Sequence, residues 1–273
     1  MNMAMAARSR SGAGWMAAAA LAAVLSGLLA GCATPQQGVA DMSAPTEETD
    51  NRRRARIRLE LASSYYAEGK TDVALEELRQ VIQVDPSFPD AYNLRGLIYM
   101  RLGDNREAEE SFRRTLLLNP RDSDAAHNYG WLLCQTQRYP EATRSFQQAL
   151  ANPLYAGRSK THMAMGLCQA RAGQLAEAEA NLVRSYEIDP GNPITGYNLA
   201  NLLYQRGEYP RAQFYIRRLN NSELANAETL WLGIKVENRM NDALAMSQLS
   251  DILRRRFPQS PERGALDRRA FNE

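Results

Sequence analysis

Histidine and cysteine are scarce: two and three residues in a chain of 273. That leaves little material for a metal cage, which needs several such ligands converging on one point. Charge of one sign is not in excess either, since 33 Lys and Arg stand against 31 Asp and Glu, a formal net charge of +2. A general nucleic-acid surface carries a marked basic excess, so that class is set aside. The sequence holds no G-x-S-x-G elbow, no P-loop and no Rossmann glycine set. The usual starting points for hydrolase, nucleotide and dinucleotide chemistry are therefore missing. The expectation is a protein that is not an enzyme, with no catalytic residue, cofactor, metal or small-molecule substrate. One exception is worth naming. His127 and Cys134 are seven residues apart on one helix face, which permits a Cys-His pair or a metal ligand set. No third ligand or orienting residue accompanies them, and packing or groove lining is the simpler reading.

The N-terminus is more informative. Arg8 and Arg10 precede a run from Met16 to Leu29 that is almost wholly apolar. This is the layout of a secretory signal. Leu29-Ala30-Gly31-Cys32 closes it and resembles the lipobox of bacterial lipoproteins. The resemblance implies a signal peptide over 1–31, removed before Cys32, with lipid on the Cys32 thiol and an acyl group on its amine. Two or more chains hold a protein on a membrane stably, where one holds it only marginally. An uncleaved membrane anchor is the alternative, and the length of the run counts only weakly against it. Ala33, rather than Asp, follows the cysteine, which resembles an outer-membrane address on the periplasmic face. Residues 32–53 read as a lipidated, flexible tether, too poor in large apolar side chains to offset the entropy of ordering. The cluster Arg52, Arg53, Arg54, Arg56 and Arg58 reads first as a solvated helix start. Its nearness to the anchor also suits contact with anionic lipid headgroups.

From residue 54 to 257 the chain repeats. "AYNLRGLIYMRLGDNREAEESFRRTLLLNP" (91–120) and "AAHNYGWLLCQTQRYPEATRSFQQALANP" (125–153) share an early Gly, a turn, an Ala, a Phe four residues on, and Asn-Pro. This resembles the 34-residue tetratricopeptide pattern. Repeat starts fall at Ala55, Pro89, Ser123, Ser159, Pro193 and Asn226. The eighth position is always small: Ala62, Gly96, Gly130, Gly166, Ala200, Gly233. Twelve residues later stands Ala74, Ala108, Ala142, Ala178, Ala212 or Ala245. Two antiparallel helices crossing closely there would tolerate no larger Cβ substituent. Four residues beyond each alanine is Leu78, Phe112, Phe146, Leu182, Ile216 or Leu249, on the same helix face. The third-to-fourth step is two residues longer, around "NPLYAGRSK". The expected fold is all-α, a right-handed solenoid of six helix hairpins, each leaning on its neighbours. Residues 258–273 are too polar for another repeat and read as a C-terminal tail, either capping the last helix or frayed.

In such arrays the first helices line the concave face. Positions two, five, nine and twelve then form a stripe that is apolar and aromatic: Leu97, Met100, Trp131, Met163, Leu167, Tyr197 and Tyr204. These are the candidate partner-binding residues, although inter-repeat packing would account for some of them equally well. An exposed stripe of this kind suits an apolar or amphipathic segment. Cys134 and Cys168 fall at positions twelve and ten of neighbouring first helices. An oxidising compartment favours a disulfide between them. Two buried thiols are the alternative, because those positions do not obviously aim at each other.

"NYGWLLCQTQRYPEATRSFQQALANPLY", "GLCQARAGQLAEAEANLVRSYEIDP" and "LWLGIKVENRMNDALAMSQLSDILRRRFPQSPE" are similar to the type IV pilus biogenesis and stability lipoproteins of the PilF/PilW type. The resemblance implies an outer-membrane pilotin, whose partners are the membrane lipid, through Cys32, and subunits of the secretin it helps to localise and multimerise. It also implies that both repeat cysteines are family features, which favours the bond. Two other classes remain: another outer-membrane repeat lipoprotein, serving as an adaptor for peptidoglycan enzymes or β-barrel insertion, and a thiol-dependent enzyme.

Overall fold

The computed structural model describes residues 49–272. Cys32, the signal segment and the tether as far as residue 48 lie outside the described residues. Thirteen α-helices and no strand occur among those described. The first helices of the six hairpins are α1 (Asp50–Ala67), α3 (Pro89–Leu102), α5 (Ser123–Gln135), α7 (Arg158–Arg171), α9 (Pro193–Gln205) and α11 (Ala227–Met240). Their partners are α2 (Thr71–Val84), α4 (Asn105–Leu118), α6 (Tyr139–Leu150), α8 (Leu175–Ile188), α10 (Tyr209–Asn220) and α12 (Ala243–Arg256). Each hairpin packs on the next, giving a solenoid of tetratricopeptide type.

Local chemistry sets the helix ends. Asp104, Asp122 and Asp242 accept hydrogen bonds from the first-turn amides of α4, α5 and α12. Asn226 and Thr229 form a reciprocal capping box at α11. The turn inside each hairpin needs one left-handed residue. Glycine supplies it in four hairpins, Gly103 at φ 81° among them, whereas Gln137 (φ 60°) and Asn241 (φ 58°) supply it in the third and sixth.

The small eighth position works through a contact one turn further on than expected. A Cβ added to Gly96 would lie 2.6 Å from the Phe112 ring, and one added to Gly130 would lie 2.8 Å from Phe146. The ring four residues beyond the alanine is thus the wall that glycine admits. In the fourth hairpin a Cβ added to Gly166 would meet both, with Ala178 O at 3.0 Å and Leu182 Cγ at 2.9 Å. Ala74, Ala108, Ala142, Ala178 and Ala212 are fully buried, but Ala245 in the last hairpin is only partly so.

The N-terminal end differs from the sequence expectation, and the C-terminal end takes the capping alternative rather than the frayed one. Helix α1 begins at Asp50, capped by Thr49, so the stretch read as tether is helical from residue 50 onward. Arg52 explains the early start. Its side chain pairs with Asp85 and reaches Ser87, tying α1 to the turn before α3. At the other end, the segment read as a polar tail contains α13 (Pro261–Asp267). Buried Leu266 packs with Leu230, Trp231, Ile234 and Leu253. Helix α13 lies on both α11 and α12, where a seventh first helix would stand.

Candidate partner-binding groove

Five of the seven stripe residues meet in one concavity. Leu97 and Met100 from α3, Trp131 from α5, and Met163 and Leu167 from α7 line a pocket of about 270 Å³. All five are half-buried, so each is held by packing yet presents surface. His127, Asn128, Lys160 and Ala164 complete the lining. Asn128 donates from Nδ2 to Asn93 Oδ1 at 3.1 Å, joining α5 to α3. The Arg171 guanidinium stands 5.3 Å from the Trp131 ring centre, a contact periodicity alone did not indicate. It was within reach of it, because Arg171 is one helical turn beyond Leu167.

Two links join α5 and α7 beside the pocket, and Trp131 packs against the buried cluster that holds one of them. His127 Nδ1 and Thr161 Oγ1 are 2.9 Å apart. Cys134 and Cys168 form a disulfide, with Cα atoms 5.7 Å apart. Both links join residues two repeat positions out of step, five with three and twelve with ten. The first helices of hairpins three and four are therefore staggered, and the inserted residues around Tyr155 accommodate the stagger. The Tyr155 hydroxyl donates to Asp124 Oδ1 at 2.8 Å, folding the long connection back onto α5. The Cys134 sulfur is consumed by the disulfide, so His127 and Cys134 do not form a thiol–imidazole pair. Burial, reinforced by nearby Lys160, pushes His127 down to about 4, which keeps the ring neutral over most of the pH range.

Tyr197 and Tyr204 are not part of this pocket. Tyr197 is half-buried, with burial and the Glu228 carboxylate raising its phenol above the ordinary value. The Tyr204 hydroxyl donates to the carbonyl of Phe271 at 3.4 Å. Phe271 stacks on Trp231 with ring centres 5.6 Å apart, and Arg239 donates to Asn272 Oδ1 at 2.9 Å. The chain's own C-terminal segment thus covers this end of the stripe. A single Phe in a polar stretch was the only sequence sign of it.

The repeat array has relatives. Tetratricopeptide repeat models match residues 62–103, 94–158, 136–193 and 169–228. The crystal structure of PilW, a widely conserved type IV pilus biogenesis factor, superposes with a TM-score of 0.71 at 30% identity, covering 78% of this chain and 98% of that one. The chain belongs to the PilF/PilW family of tetratricopeptide-repeat proteins. Within it, the type IV pilus assembly protein PilF of Pseudomonas aeruginosa is 29% identical over 244 residues, spanning 89% of this chain and 95% of that protein. The solved structure of P. aeruginosa PilF gives a TM-score of 0.73 at 25% identity, covering 81% of this chain and all of that one. Membership makes the array a protein-interaction scaffold.

Proposed function

We propose that the chain is a lipid-anchored outer-membrane pilotin that binds secretin subunits and promotes their localisation and multimerisation in type IV pilus biogenesis. The kinship to PilF and PilW supports the pathway. The Leu29-Ala30-Gly31-Cys32 motif supports the anchor, and Ala33 after it supports the outer membrane as its address. The carrying observation is the apolar concavity of Leu97, Met100, Trp131, Met163 and Leu167, open between the first helices of hairpins two to four. Its size suits one or two large apolar side chains of an amphipathic segment. Lys160 in the lining and Arg171 over the Trp131 ring favour an acidic residue beside them.

Trp131 is the expected anchor, since central aromatic residues commonly cost about 2 kcal/mol or more of binding when truncated. Trp131→Ala should abolish secretin multimer assembly in cells while the purified domain keeps a thermal midpoint near the wild type. A collapsed midpoint would make Trp131 a packing residue. Unchanged assembly with unchanged stability would move recognition away from the concave pocket.

A further inference from the structure

The two ends of the array are closed differently. Helix α13 covers Leu230 and Ile234 at one end. At the other, α1 is the first described helix and its outer face carries Ile57, 58% exposed, and Leu61, 41% exposed. A terminal repeat ordinarily turns a polar face outward. Around the helix, at 3.6 residues per turn, the order of side chains is Arg56, Arg53, Ile57, Leu61, Arg54, Arg58. The apolar pair therefore sits between two basic borders. Asp50 and Glu60 share the face, with Arg53 3.7 Å from Asp50 and Arg56 3.6 Å from Glu60. The Arg53–Asp50 pair is solvent-exposed and contributes little, so the Arg53 cation exchanges readily for another anion. Five arginines against two acids give α1 a charge of +3, but Arg52 is engaged by Asp85 and Arg58 by Glu77 at 2.8 Å, so Arg53 and Arg54 are the cations that this face offers outward.

We propose that this face of α1 lies on an anionic phospholipid surface, with Arg53 and Arg54 on lipid phosphates and Ile57 and Leu61 entering the headgroup boundary. The proposal rests on the reading of the chain as membrane-bound. Charge complementarity favours this occupant, since guanidinium groups match phosphate oxygens two at a time. Two apolar side chains are far too few for a stable protein interface, but they suit shallow insertion beside basic residues. Thr49 follows Cys32 by 17 residues (49 − 32). An acyl group on Cys32 would hold α1 within roughly 60 Å of the bilayer, at 3.3–3.6 Å per residue.

The test uses residues 49–273, one compact unit, made without the anchor. The protein is sedimented with vesicles of equimolar phosphatidylglycerol and phosphatidylcholine, and with phosphatidylcholine alone. The anionic vesicles should retain about tenfold more protein. The double variant Arg53→Gln, Arg54→Gln should remove most of that difference. Ile57→Ser with Leu61→Ser should weaken retention at an unchanged thermal midpoint. Equal retention by both vesicle types, or retention indifferent to both double variants, overturns the proposal. Fatty-acid labelling at Cys32 is read separately, so loss of vesicle binding leaves the anchor intact and the reverse holds too.

Discussion

His127 shows how one buried side chain sets a pH response. Its ring is 4% exposed, bound to Thr161, and depressed to about 4 by burial. The unfolded chain takes up that proton near the ordinary histidine value of about 6.5, while the folded chain resists it. Stability is thus full above that value and falls as pH drops from about 6.5 towards 4. At pH 5 the loss from this residue is about 2 kcal/mol. Urea unfolding at pH 7 and pH 5 should show it, and His127→Asn, which keeps a hydrogen-bonding group near Thr161, should show a difference smaller by about that amount. An identical fall in both proteins would place the acid sensitivity elsewhere.

Helix α13 is the element whose role sequence patterning least revealed. It is seven residues long, which in isolation would not form a stable helix. Its stability comes from Leu266 against Leu253 and Ile234, and from Ser260, which accepts from the Arg263 amide at 3.1 Å. Leu266→Ala should cost about 2–3 kcal/mol of local stability. Because repeats couple chiefly to their neighbours, the loss should concentrate in α11 and α12. Amide hydrogen exchange resolved along the chain would show faster exchange there and little change in α3. A uniform acceleration would mean that the array unfolds as one unit.

At the scale of the whole molecule, the six hairpins were legible because their physics repeats. Small residues at position eight, alanine at twenty and a large apolar residue at twenty-four are demanded wherever two helices cross closely. What repeats least was least legible. The stagger between α5 and α7 belongs to one junction, so positions ten and twelve gave no sign of facing each other. The cover over Tyr204 comes from Phe271, far along the chain and outside any period. The pocket itself was readable only as a list of positions, because periodicity places a side chain on a face and does not say where a neighbouring segment covers it. The junction disulfide makes a prediction at this scale. Closing a loop with a sequence separation of 34 stabilises by roughly 3–4 kcal/mol in the chain-entropy model. Reduction should lower the unfolding midpoint accordingly and split a single transition into two, as the halves on either side of the α5–α7 junction lose their common constraint. A midpoint indifferent to reductant would mean that packing alone holds the junction.

The same bond has a mechanical meaning. A solenoid pulled lengthwise can give way hairpin by hairpin from either end, since each hairpin leans mainly on its neighbours. Between Cys134 and Cys168 it cannot lengthen, because the load passes through sulfur and bypasses the intervening chain. At 3.3–3.6 Å per residue, a sequence separation of 34 corresponds to roughly 110–120 Å of slack that never pays out. Under tension the array behaves as two extensible arms on a short inextensible link, and Trp131 of the pocket packs against the cluster that holds that link.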